Sequence, residues 1–495
     1  MFASFYCIAV LCGVPLSHGT PAVALPCPSG CCHSGYLGLQ KPDSNGIINS
    51  CIPTFGTCDR KNKTHECCRG HSCLATGSPA GAPDSCQPIG EADGDERQMF
   101  YWLFPATQVD PATAPLLVWL QGGPGASSLL GLFFENGPLS LQEDSNGEIV
   151  VSNNPSAWNS QANLVYLDQP FGTGFSFANA SQYITSEQGM PEVAIWLRLA
   201  LLELAKVQPQ FASSVLANAN GGDARKLWLS GESYAGKYVP YLATEIGTYE
   251  DPLSQSLLAG GLAIGDGWVD PPIIVASYPL FAYSHGLVDY PQRIAMEKNV
   301  SLFQAALAQQ KFELATEIEH GIEHFVEDVA GVNAYDIRHI GSYNFSIAEV
   351  YLNDDKVRAA LGVVTGPDAP LFQISNSAVN DKLKGDISKS GVGVMSHLLD
   401  TYRVLLYNGA MDMDCNILGT LDWLHTVPWR GQNEFNTTSS GRQQWTANGG
   451  VAGWSRTVHN FTQLVINNAG HMVPMNQPEV SLAMINTLLS GKPFV

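Results

Sequence analysis

A hydroxyl, a carboxyl and an imidazole occur along this chain in settings that suit acyl-transfer chemistry. Ser233 stands in GESYAGKYVP at 231–240, behind the apolar run RKLWLSGE and ahead of YAGKYVPYLATEI. The first stretch reads as a buried strand and the second, by its apolar spacing, as a helix. Strand, tight turn and helix is a setting in which small neighbours let the backbone fold back and lift a serine oxygen into the open. The strict pattern G-x-S-x-G ends in glycine, whereas Ala235 holds the fifth place here. An ordinary loop serine is the competing reading.

A serine hydroxyl is a poor nucleophile until a base takes its proton, so a histidine oriented by a carboxylate is needed further along the chain. LLYNGAMDMDCN places Asp412 just after an apolar strand, and LVINNAGHMVP places His471 just after another. The order Ser, Asp, His is that of α/β-hydrolases, whose acid and base stand in loops at the carboxyl ends of strands. Taken singly, a loop aspartate and a surface or core histidine are the simpler readings. LLVWLQGGPGASS at 116–128 is a strand followed by a glycine-rich turn. Such a turn brings backbone N–H groups close to a ligand and suits an oxyanion hole. A phosphate loop is excluded, because no Gly-Lys-Ser/Thr follows.

WLQGGPGASS, Glu135 in LFFENGP, SAWNSQANLVYLDQPFGTGFSF, GESYAGKYVP, IGDGWVDP, YLNDDKVRAAL, NGAMDMDCN and NNAGHMVP follow one another in that order. Together, over roughly residues 98–495, they resemble the serine carboxypeptidase family. The resemblance implies an α/β-hydrolase fold, with a mixed sheet flanked by helices and a mostly helical cap. It implies Ser233 as nucleophile, His471 as general base and then acid, and Asp412 as the orienting carboxylate. Gly123 and Tyr234 would lend N–H groups to the oxyanion hole. Gln121, Gly122, Glu135 and Glu232 would hold the substrate's terminal carboxylate, which makes the expected enzyme an exopeptidase acting on peptide or protein C-termini. Two glutamates facing a third carboxylate require a shared proton, so activity is expected to favour acidic pH. No cofactor or metal is expected.

The chain departs from the family at several places. Gln121 stands where most members have asparagine, as in the vitellogenic and retinoid-inducible branches. Ala126 replaces a cysteine and removes one family disulfide, Ala410 replaces an aspartate near Asp412, and Cys415 aligns with a family thiol near the specificity pocket. A buried inert cysteine is the other reading of Cys415.

These groups must be carried by a large body. With 495 residues, 45% apolar and 14% charged, the chain has material for a substantial core and is not broadly disordered. A net charge of −20 opposes nucleic acid and anionic membranes. Residues 1–24 read as a secretory signal peptide, cleaved after Ala24 and too short in its apolar part to span a bilayer. Six Asn-x-Ser/Thr sites permit glycosylation. The expected destination is the secretory pathway, ending outside the cell or in a lysosome or vacuole, with no membrane anchor.

Nine of twelve cysteines fall between Cys27 and Cys86. A small disulfide-rich N-terminal module at 25–90 is the natural reading, and its last six cysteines resemble the order of cystine-knot miniproteins. Clustered thiols also suit zinc, although no clean pair of CxxC motifs is present. The hydrolase body is then expected at 91–270 and 346–495, interrupted by a cap at 271–345. SGYL at 34–37 resembles the family's first strand, which would make the cysteine-rich piece an insertion in the first hairpin. HGIEH at 320–324 has the form of an inverted zinc-peptidase motif. Gly321 is expected to interrupt its helix and leave it a solvated polar face. Two other functions remain open: transfer of the acyl group to an alcohol by the same triad, and a binding or toxin-like role for the cysteine-rich module with an idle hydrolase.

Overall fold

The computed structural model describes residues 97–208, 226–363, 370–437 and 441–495 with their side chains, and the strands 33–38, 57–58, 71–73 and 84–88 as backbone. The apolar runs become one ten-stranded sheet. Its strands are β1 (His33–Gly38), β2 (Gln98–Phe104), β3 (Leu116–Leu120), β4 (Asn163–Leu167), β5 (Leu227–Glu232), β6 (Gly261–Gly265), β7 (Val404–Gly409), β8 (Gln443–Ala447), β9 (Gly450–Val458) and β10 (Phe461–Ile466). They lie in the order β1-β2-β4-β3-β5-β6-β7-β10-β9-β8. The six from β4 to β10 run parallel, and antiparallel pairs close both edges.

Central strands of this kind are buried on both faces, so they read as continuous apolar runs while their side chains still alternate. Leu116, Val118 and Leu120 enter one core together with Met99, Leu103, Val404 and Leu406. Leu117 and Trp119 enter the opposite core with Phe100, Trp102, Leu405 and Tyr407.

Helices flank the sheet: α1 (Leu129–Phe134), α2 (Gly189–Val207), α3 (Ala235–Gly247), α4 (Pro271–Ser284), α5 (Tyr290–Ala308) and α6 (Phe312–Ala330). The last three form a helical layer after β6. Gly321 does not interrupt α6, which runs unbroken for 19 residues. One helical glycine costs only about 1 kcal/mol, and buried Ala315, Ile322 and Val326 hold the helix on its neighbours.

The sheet begins before Gln98, because β1 pairs antiparallel with β2, setting Tyr36 opposite Phe100. Three short strands, Thr57–Cys58, His71–Cys73 and Asp84–Pro88, make a separate small sheet. The signal segment, Asn62 and the pairing of the N-terminal cysteines lie outside the described residues. Among the described residues, no helix is long and apolar enough to cross a membrane.

Candidate active site

β5 runs fully buried into Ser233, and α3 starts two residues later at Ala235. The turn puts Ser233 at φ 64°, a left-handed conformation costing a non-glycine residue on the order of 1–3 kcal/mol. It persists because its backbone is pinned: Ser233 N–H donates to Gly265 O at 3.1 Å, and Trp268 N–H donates to Ser233 O at 2.8 Å. Gly231 explains how Ala235 is tolerated. A Cβ on Gly231 would lie 2.7 Å from the Ala235 methyl and 2.5 Å from Leu120 O, so the methyl fits only because its neighbour has none.

The glycine-rich turn after β3 lies directly on this elbow. A Cβ on Gly122 would stand 2.5 Å from Tyr234 N and 2.7 Å from the Ser233 Cβ. Gly123 takes φ 106°. Among the described residues, neither the Gly123 nor the Tyr234 N–H donates to a protein acceptor, and both residues line the same cavity as Ser233. Buried Asp168 anchors the turn, accepting from Ser127 Oγ at 2.6 Å and Ser128 N–H at 2.9 Å. Burial raises its carboxyl to about 6 against those hydrogen bonds. Where Ala126 stands in place of a cysteine, backbone bonds tie the turn to its neighbour: Ser127 N–H to Ile374 O and Asn376 N–H to Gly125 O, each 2.9 Å.

Asp412 and His471 follow the adjacent strands β7 and β10. His471 Nδ1 lies 2.9 Å from Asp412 Oδ2, with both side chains buried. The Cys415 N–H, 3.2 Å from each Asp412 oxygen, holds the carboxylate in place. The loop reaching His471 has no room at Gly470, where a Cβ would meet Tyr335 O at 2.3 Å. Tyr335, just past the end of α6, stacks on the imidazole at 4.5 Å between ring centres and 15° between planes. Burial by itself would depress the imidazole, but the Asp412 charge and hydrogen bond, with Asp414 and Glu135 behind them, raise it above its ordinary value. Among the described residues, Ser233 Oγ makes no hydrogen bond with His471. It opens instead on a cavity of about 60 Å³ whose wall includes Tyr335.

Gln121, Glu135 and Glu232 gather behind the elbow. Trp119 Nε1 donates to Gln121 Oε1 at 2.8 Å, which turns Gln121 Nε2 onto Glu232 Oε1 at 3.1 Å. Both Glu135 oxygens and Glu232 Oε2 are buried with no donor from the protein. Burial pushes Glu135 up to about 7. Burial, followed by the Glu135 charge, pushes Glu232 well above the usual carboxylate range. A proton held between the two would give these oxygens the donor they lack.

The structure also brings in groups that the motifs did not mark. Glu319 and Glu323 of α6 meet Asp414, their ligand oxygens within 4.8 Å of one another, and all three line the Ser233 cavity. Burial raises each of them, Asp414 to about 6. Glu323 belongs to the HGIEH stretch, and the rings of its two histidines lie 6.5 Å apart on the same helix. Lys237 makes a buried ion pair with Asp386 at 3.0 Å, and Asp386 also accepts from Tyr234 Oη at 2.6 Å. That pair fixes the ring of the residue beside the nucleophile. Cys415 is free and buried, and burial pushes its thiol up.

A parallel sheet with a serine elbow and with acid and histidine loops at the carboxyl ends of later strands defines an α/β-hydrolase. The family model described as serine carboxypeptidase matches residues 89–491. "Serine carboxypeptidase S10 family member 1" of Dictyostelium discoideum is 33% identical, over 79% of this chain and 90% of its own length. "Probable serine carboxypeptidase CPVL" of Mus musculus is 32% identical, over 79% of each. The crystal structure of Kex1(delta)p, a prohormone-processing carboxypeptidase from Saccharomyces cerevisiae, superposes with a TM-score of 0.69 at 25% identity, covering 85% of this chain and 90% of that one. The chain belongs to the serine carboxypeptidase family, hydrolases of the exopeptidase type.

Proposed function

We propose that this protein removes single residues from peptide C-termini through an acyl-enzyme on Ser233, favoured at acidic pH. His471 takes the Ser233 proton at Nε2 while its Nδ1–H stays on Asp412, whose charge stabilises the imidazolium that forms. The serine oxygen bonds to the scissile carbonyl carbon, and the resulting oxyanion receives the unused N–H groups of Gly123 and Tyr234. His471 returns the proton to the leaving amine, and water repeats the sequence to release the shortened peptide. Gln121, the Gly122 backbone and the proton shared by Glu135 and Glu232 hold the substrate's free carboxylate.

The observation carrying this reading is the buried pair of glutamates beside the elbow, three of whose four oxygens receive no donor. An endopeptidase has no use for a protonated carboxyl pair there, whereas a free C-terminal carboxylate needs one. The remaining expectations belong to the same proposal: a signal at 1–24, a cysteine-rich module at 25–90, a cap at 271–345, and passage through the secretory pathway.

Peptides with free and with amidated C-termini, incubated at mildly acidic pH and read by mass spectrometry, test the reading. Trimming of free ends only is expected, with Ser233→Ala lowering kcat by at least about 10³-fold. Equal trimming of both ends, or an active Ser233→Ala, would refute it. Products carrying an added alcohol in place of water would identify acyl transfer instead.

A further inference from the structure

Asp266 takes no part in the steps above, yet it occupies the middle of the site. It follows β6, the strand between the serine strand β5 and the aspartate strand β7. Its neighbour Gly265 accepts the Ser233 N–H, while its own N–H donates to Tyr407 O at 2.8 Å. Its Oδ1 accepts the Gly409 N–H at 2.8 Å, and Gly409 O in turn accepts from Asp412 N–H at 3.4 Å. Gly265 and Asp266 therefore touch both the nucleophile turn and the acid turn. Asp266 also holds φ 42°, outside the range that aspartate prefers.

Its second oxygen, Oδ2, is fully buried and has no donor from the protein. Burial first, and then the charge of nearby Asp412 and its hydrogen-bonding interaction with this side chain, raise Asp266 well above the usual range. The other titratable groups facing it are Glu135, Glu232, Tyr407 and Cys415. None of them brings a positive charge. Two ionised carboxylates in contact in so dry a place repel strongly, so one must keep a proton. Asp412 already has the imidazole and the Cys415 N–H as donors, which leaves the proton to Asp266.

We propose that Asp266 is a positioning residue that stays protonated and donates from Oδ2 to the Asp412 carboxylate, locking the acid turn to the serine turn. It acts through Asp412 and touches no substrate. The inference rests on the proposed triad and adds a fourth member, whose neutrality is the functional requirement. A carboxylic acid kept neutral so that it donates has precedent in other enzyme sites.

The test is the rate at which a fluorophosphonate labels Ser233, measured across pH. This reaction displaces fluoride from phosphorus and does not use the carboxylate-binding glutamates. Asp266→Asn keeps one acceptor and one donor of the right shape, and is expected to label within about threefold of the parent at mildly acidic pH. Asp266→Leu is expected to lose about 100-fold through misplacement of Asp412, with its fold checked by circular dichroism. On the alkaline side the parent rate falls as Asp266 ionises, and the Asp266→Asn rate does not. The proposal is overturned by an Asp266→Asn rate as low as that of Asp266→Leu, by a parental rate in Asp266→Leu, or by the same alkaline behaviour in parent and Asp266→Asn. Should Asp266→Leu fail to fold, the Asp266→Asn profile decides alone. Labelling that persists in Ser233→Ala sinks the triad reading itself, whereas each of the other outcomes bears on Asp266 only.

Discussion

Glu135 and Glu232 on the sheet side of Ser233, and Glu319, Glu323 and Asp414 on the cap side, are the same chemical group in two kinds of surroundings. The first pair sits dry behind the elbow, its geometry set by Gln121 and through it by Trp119. The second set shares the cavity wall with Ser233, and Glu323 and Asp414 keep some exposure to solvent. In a buried pair each proton gained or lost changes the charge in a low-dielectric pocket. A partly wet cluster acts as a field, graded by distance and salt.

The largest effect is expected where the dry side meets the elbow. Gly122→Ala drives a methyl into Tyr234 N and the Ser233 Cβ, and should lower kcat by about 10³-fold, the scale of a lost oxyanion donor. A kcat near the parent's would show that the turn yields and is not the rigid partner described.

Next is the proton between the glutamates. Replacing both Glu135 and Glu232 by glutamine keeps donors but removes the titration. In the parent, a carboxyl raised to about 7 gives up its proton as pH climbs through that value. The substrate carboxylate then meets uncompensated charge, and KM should rise by roughly tenfold per pH unit above it. The double variant should show a flat KM there. A KM that still climbs would remove the pair from carboxylate recognition.

Smallest is the cap side. At a pH high enough to ionise this raised carboxyl, Glu323→Gln should shift selectivity between peptides carrying Lys or Glu next to the scissile bond by about threefold, towards Glu, as expected for one partly screened charge. The shift should shrink in high salt. No shift at low salt would make the cap cluster a solvated rim.

Much of this is legible in the sequence alone. The elbow could be read from GESYAGKYVP because its requirements are local: a strand, small residues and a helix in immediate succession. Asp412 and His471 were legible as loop residues after apolar strands, since parallel strands buried on both faces leave continuous apolar runs. Gly321 misled, because a local helix cost of one glycine is outweighed by packing that no local rule includes. Asp266 lies within IGDGWVDP with no local feature that marks it. Nothing along the chain indicates that β6 lies between the serine and aspartate strands. Tyr335 left no signal either, as its stacking on His471 joins residues more than a hundred positions apart.

The sequence by itself determined which groups exist, which follow strands and which glycines leave space for them, since those properties depend on neighbours along the chain. Only the tertiary structure decided which carboxyls are buried together, which face the cavity and which residue lies between the Ser233 and Asp412 turns. Desolvation and like-charge contact arise from groups brought together by strand order and cap packing, and neither is encoded in any single stretch.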